Sequence, residues 1–170
     1  MFMRRFLGIF LIVSIFLAGP LLAQNLKTPV SVSDMVDIES DRLDVNTKNG
    51  TAVFKGRVKA TKADIVVKGN VITLSYDAVT RKVTQMTAEK DAYILWKDRE
   101  ATCNKVMYNL TTDVMVLTGD VVMTRGQERI SGQKVTLDMK NDSQVVEGGG
   151  GRVKVRVDAG KGTGIMQWGK

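Results

Sequence analysis

Three carboxylates stand at alternate positions early in the polar part of this sequence: Asp37, Glu39 and Asp41. In an extended strand that spacing puts all three on one face. Clustered carboxylates can hold a hard cation through oxygen ligands or take part in acid–base catalysis. A strand does not wrap an ion, however, and no partner group for catalysis is in view. The trio therefore reads as an exposed edge that repels wrong partners, with a cation site as the alternative. The chain has no histidine, which removes imidazole acid–base work and imidazole metal ligands. Its one cysteine, Cys103, allows no internal disulfide and reads as a small buried hydrophobe rather than a nucleophile. A basic trio, Lys55, Arg57 and Lys59, alternates in the same way and reads as a solvated strand face. No glycine-rich phosphate cradle and no nucleotide motif is present. The expectation is a protein that is not an enzyme, with no cofactor and no metal.

The elements that carry these residues follow a strongly exported-looking start. Met1 to Arg5 is basic, Phe6 to Leu22 is an apolar run of 17 residues, and Ala23 is a small residue at a cleavage point. That is the pattern of a cleaved signal peptide, residues 1–23. An uncleaved membrane anchor is the alternative, since the run sits at the short limit for a span. Cleavage takes away Arg4 and Arg5, so the formal charge falls from +7 to +5 (7 − 2). It also takes away four of the five phenylalanines, Phe2, Phe6, Phe10 and Phe16. The interior of the remaining domain must then be built mostly from Val, Ile, Leu, Met and Ala. Residues 24–35 read as a linker or N-terminal edge, 36–157 as the folded domain, and 158–170 as a Gly-rich, flexible tail with a small apolar cluster, Ile165, Met166 and Trp168.

From Val36 to Val157 no proline interrupts the chain, as continuous β structure requires. Apolar residues recur with period two. Alternation places Leu43 and Val45 on one face, then Phe54 and Val58, Ile72 and Leu74, Ile94 and Trp96, Val106 and Tyr108, Leu117, Val121 and Met123, and Val135 and Leu137. This inward set contains no charge. Turn signals separate the runs at 47–50, 76–82, 110–113, 125–128 and 140–143. The spacing predicts an all-β antiparallel sandwich or barrel. The stretch from Ala52 ("AVFKGRVKATKADIVVKGNVITL") also aligns without gaps with the stretch from Met115 ("MVLTGDVVMTRGQERISGQKVTL"), at a separation of 63 residues. Gly56 then matches Gly119 and Gly69 matches Gly132. Paired mid-strand glycines predict a bend, a bulge or a close backbone approach.

Four short pieces, "IESD" at 38–41, "AVFKGRV" at 52–58, "VMYNL" at 106–110 and "VLTGDV" at 116–121, resemble the LptA-type, OstA-like family of periplasmic lipopolysaccharide-transport proteins. The resemblance runs from about Val36 to Leu137 and more loosely to Val157. Arg57 departs from the family pattern, which favours Asn or Asp there. What the resemblance implies is a twisted, V-shaped open antiparallel β-sandwich, the OstA-like β-jellyroll. In it the inward set above lines a lipid-binding groove for the acyl chains of lipopolysaccharide. Such proteins stack head to tail and dock on related β-jellyroll domains of inner-membrane and outer-membrane transport components. The energy comes from an inner-membrane transporter that hydrolyses ATP. On this reading "RVKVRV" presents Val153, Val155 and Val157 as a partner edge that pairs with the 36–45 edge of a like fold. An anchored, LptC-like inner-membrane component and a structural β-assembly protein that binds no lipid are the alternatives. Nucleic acid is not expected as a partner.

Overall fold

The computed structural model describes residues 35–160. The signal segment, nearly all of the 24–35 linker and the Ile165, Met166 and Trp168 cluster lie outside the described residues. Every regular element among those described is a strand: β1 (Asp37–Glu39), β2 (Arg42–Asn46), β3 (Thr51–Lys62), β4 (Ile65–Tyr76), β5 (Val83–Trp96), β6 (Arg99–Asn109), β7 (Val114–Arg125), β8 (Glu128–Asp138), β9 (Ser143–Glu147) and β10 (Lys154–Arg156). They form one ten-stranded antiparallel sheet in the order β1-β3-β4-β5-β6-β7-β8-β10, with β2 on β3 and β9 on β8. The path does not close on itself, so the fold is an open, all-β antiparallel sheet.

The turns explain themselves chemically. At one end of the sheet a short Asn or Asp side chain closes each hairpin by accepting a backbone N–H, a standard turn device. Asn46 Oδ1 accepts from Asn49 at 3.0 Å, Asp77 Oδ1 from Thr80 at 2.7 Å, Asn109 Oδ1 from Thr111 at 2.9 Å and Asp138 Oδ1 from Asn141 at 2.9 Å. At Asp77 these bonds hold the carboxyl below the usual carboxylate range. At the opposite end the hairpins need only two residues, 63–64, 97–98 and 126–127. Each starts on a left-handed residue: Ala63, Lys97 or Gly126.

Midway along, the ladder slips. Register shifts fall between Lys55 and Val58, between Glu89 and Ala92, and between Thr118 and Val121. Each spans two left-handed residues: Gly56-Arg57, Lys90-Asp91 and Gly119-Asp120. These are β-bulges, which add a residue to one strand and bend it. Gly56 and Gly119, at φ +80° and +81°, tolerate this because they lack a Cβ. A Cβ there would lie 2.4 Å from Asp41 Oδ2 or 2.6 Å from Asn104 Nδ2. The bulge in β5 has no glycine, and nothing in the sequence pattern announced it.

Three expectations need correction. The carboxylate trio is not carried by one strand. Asp41 lies between β1 and β2, where its carboxylate is bound by the Arg57 guanidinium, with Nε at 3.1 Å. That bond holds the Asp41 carboxyl below its ordinary range. The chain must leave the β1 register there to clear the bulge, and Asp41 N–H donates to the Gly56 carbonyl at 3.1 Å. Second, the strands are longer than the ten-residue spacing suggested, because the two-residue turns are tighter. Third, "SQVVE" forms β9, a strand that sequence reading did not place.

Candidate functional site

The ladder lines up the inward side chains in rows that cross the sheet. One row reads Leu43, Phe54, Ile72, Ala88, Val106, Leu117, Val135, Val146. The next reads Val45, Ala52, Leu74, Met86, Tyr108, Met115, Leu137, Gln144. Beyond the bulges the chain offers Ile38, Ala60, Val67, Ile94, Ala101, Met123, Ile130, Val155. Val58 and Val121 sit beside the bulges themselves. The structure thus puts all of the inward set named above on one face of the sheet.

Burial within that set is uneven. Val58, Ile72, Ile94, Val106, Leu117, Val121, Met123, Val135 and Leu137 are fully buried. Phe54, Leu74, Trp96 and Tyr108 are part-buried against them. Leu43 and Val45, on β2, have the same facing yet remain 50% and 58% exposed. The apolar face is therefore continuous from a packed middle to an open margin along β2. Val and Ala are the commonest residues of its buried middle, and Met115 and Met123 add flexible side chains that can adapt to an apolar guest.

Two titratable groups on this face are held neutral. Burial pushes the Cys103 thiol up to about 11. Burial and the hydrogen bond to Asp113 push the Tyr108 phenol up to about 12. Cys103 is buried and protonated, so it has none of the electropositive, exposed setting that a reactive thiolate needs.

Sequence reading missed part of the face. Met86, Ala88, Ala101 and Ile130 belong to it as fully as the residues named. Alternation keeps phase across the bulged strands β3, β5 and β7, but slips in β4, β6 and β8, so counting by two fails midway along those. The named set carries no charge, but the face that it lies on does. Past Trp96 the face ends in Arg99, Arg125 and Glu128, and Glu128 is only 5% exposed. Residues 125–128 had been read as a turn, yet only Gly126 and Gln127 turn. Extending the count from Ile94 and Trp96 across the tight turn to Arg99 would have found this.

The Val153, Val155 and Val157 edge maps to β10, which is shorter than expected. It pairs with β8 at Lys154↔Ser131, Val155↔Ile130 and Arg156↔Arg129. The three valines are 37%, 50% and 46% exposed. Strands β1 and β10 end the sheet path, so each has one side without a partner strand among the described residues. Lys55, Arg57 and Lys59 lie on the other face, paired with Asp44, Asp41 and Glu39.

Comparison with known proteins returns a consistent picture. The family described as "LptA/(LptD N-terminal domain) LPS transport protein" matches residues 37–143. An uncharacterized protein of Rhizobium meliloti (strain 1021), R00383, is 27% identical over 160 residues, covering 89% of this chain and 86% of that one. Among solved structures, LptH from Pseudomonas aeruginosa superposes with a TM-score of 0.64 at 19% identity, covering 73% of this chain and 95% of the other. LptH is described as the LptA-homologous periplasmic component of the conserved lipopolysaccharide transport device of that organism.

Proposed function

The chain belongs to the LptA/(LptD N-terminal domain) family of lipopolysaccharide transport proteins, and from that premise we propose that it is a periplasmic carrier whose apolar face seats the acyl chains of lipopolysaccharide. The observation that carries this reading is the open margin along β2. Leu43 and Val45 face inward, in line with buried Ile72 and with Leu74, and yet lie half-exposed. A folded domain gains nothing from apolar side chains left in water, whereas a lipid chain laid there would cover them. Each methylene so buried contributes about 0.8 kcal/mol. Several methylenes suffice to hold a chain, and the uncharged middle of the face lets it slide.

The same reading makes the protein one segment of a bridge. The outer side of β1 in one copy and of β10 in the next are the natural joining edges, with docking on related jellyroll domains at either membrane. Residues 1–23 serve as the signal that exports it. Nothing in the apolar face calls for catalysis, and the protein acts as a carrier rather than an enzyme.

Photo-crosslinking in the native cell envelope tests the reading. A photoreactive residue at Phe54 is expected to capture lipopolysaccharide, and one at Lys55, on the opposite face, is not. A folded, exported protein that gives no adduct at Phe54 would favour the structural β-assembly alternative. A mature protein that retains residues 6–22 in the inner membrane would favour the tethered, LptC-like one.

A further inference from the structure

The rows of the inward face carry no charge until the last. At the end of the sheet with the two-residue hairpins, the ladder pairs Ile65 with Trp96, Trp96 with Arg99, and Arg125 with Glu128. Continuing the Glu100↔Thr124 register by one residue sets Arg99 opposite Arg125. The neighbouring row contains Val67, Ile94, Ala101, Met123 and Ile130, none more than 3% exposed. Two guanidinium groups thus stand directly over a dry apolar interior.

They are not equivalent. Arg125 donates to Glu128 Oε2 from Nε at 3.0 Å and from Nη2 at 2.7 Å, which balances its charge. Arg99 has no such acceptor among the described residues. Its side chain is 11% exposed, and its Nε and Nη1 are buried without a hydrogen-bond partner. The Asp98 carboxylate stands 3.7 Å from Nε and is itself 68% exposed, beyond hydrogen-bond range. The Trp96 ring, 5.5 Å from the guanidinium carbon, offers attraction to the charge but takes no N–H in its plane. A buried cation with orphan donors costs stability. It is kept at lower cost when a ligand supplies the missing acceptor.

We propose that Arg99 binds the oxyanion, phosphate or carboxylate, of an amphiphile whose chain lies against the part-buried Ile65 and Trp96 of the same row; this rests on the groove reading above. An oxyanion fits a guanidinium in charge and in hydrogen-bond geometry. Ile65 and Trp96, part-buried apolar side chains in the same row, fit the chain that such a head group would carry. Lys97, in the same hairpin, adds positive charge at the margin.

The test uses the purified, delipidated chain after signal removal, with dodecyl phosphate and a neutral dodecyl glucoside as matched probes in a calorimetric titration. The wild type is expected to bind the phosphate about tenfold more tightly, the scale of one charge-assisted contact. Arg99→Gln should erase that preference and leave glucoside affinity unchanged. Arg99→Lys, which keeps the charge without the planar fork, should retain part of it, and it stands in should the glutamine variant not fold. Preference surviving in Arg99→Gln would overturn the proposal. So would equal stabilisation of the wild type by inorganic phosphate alone, which would mark a free-phosphate site. If neither probe binds, the groove reading itself fails, whereas binding without preference fails only the role given to Arg99.

Discussion

Two margins of the same face invert the usual rule of folding in opposite ways. Along β2, apolar Leu43 and Val45 face inward but are left half in water. At the hairpin end, Arg99 and Glu128 are charged but are taken out of it. Between them lies an ordinary packed interior, where Ile72, Val106 and Leu117 have no exposure at all. For a chain that only had to fold, both margins would be errors. For a chain that must receive a molecule with an oily part and a charged part, each is a vacancy of the right polarity.

The contrast can be sharpened by substitution. In the ordinary interior, Leu117→Ala should cost about 2–5 kcal/mol of stability, the range for a buried leucine that leaves a cavity. Denaturant melts would read it. A loss well below 1 kcal/mol would mean that this part of the face is already loose. Gly119→Ala should follow, at about 1–3 kcal/mol, because an alanine would be strained at positive φ and crowd Asn104. Equal melting temperatures for that variant and wild type would show that the bulge relaxes freely.

Alkaline titration probes the dry middle. Cys103 and Tyr108 have their folded pKa values raised, from 9.0 to about 11 and from 10.0 to about 12. A raised folded value means that the stability tied to each group is complete below its unfolded pKa and is lost as pH climbs through the folded one. The melting temperature should therefore fall between about pH 9 and 12. Cys103→Ala and Tyr108→Phe should each flatten part of that fall. A decline identical in both variants would show that neither group is held dry. The smallest stability effect belongs to the β2 margin. Leu43→Asp combined with Val45→Asp should shift stability by no more than about 0.5 kcal/mol, as exposed positions do, while abolishing acyl-chain binding. A large destabilisation would place these residues in the packed core after all and dissolve the contrast between margins.

Much of this architecture could be seen in the sequence. The turns at 47–50, 76–82 and 110–113 were placed, because Asn and Asp turn chemistry is local. The facing of Leu43, Phe54, Ile72 and Leu117 followed from period two. What escaped depended on longer-range facts. The β5 bulge uses Lys90 and Asp91, with no glycine to mark it. The phase slips in β4, β6 and β8 exist only relative to their bulged neighbours. Arg99 and Glu128 looked like surface residues because charge beside a turn normally is, and only the ladder shows them folded over the interior. That Leu43 and Val45 stay exposed is likewise a property of the sheet edge, not of their own strand.

The order of the strands has a consequence in time. From β3 to β8 each long strand lies beside the one made just before it, and the links between them are short. Contacts of such low sequence separation close quickly and without long-range search. The sheet can therefore grow as a zipper, each new hairpin docking on a finished edge, with no early strand waiting for a late one. A chain threaded out end-first could acquire its structure in the same order in which it emerges.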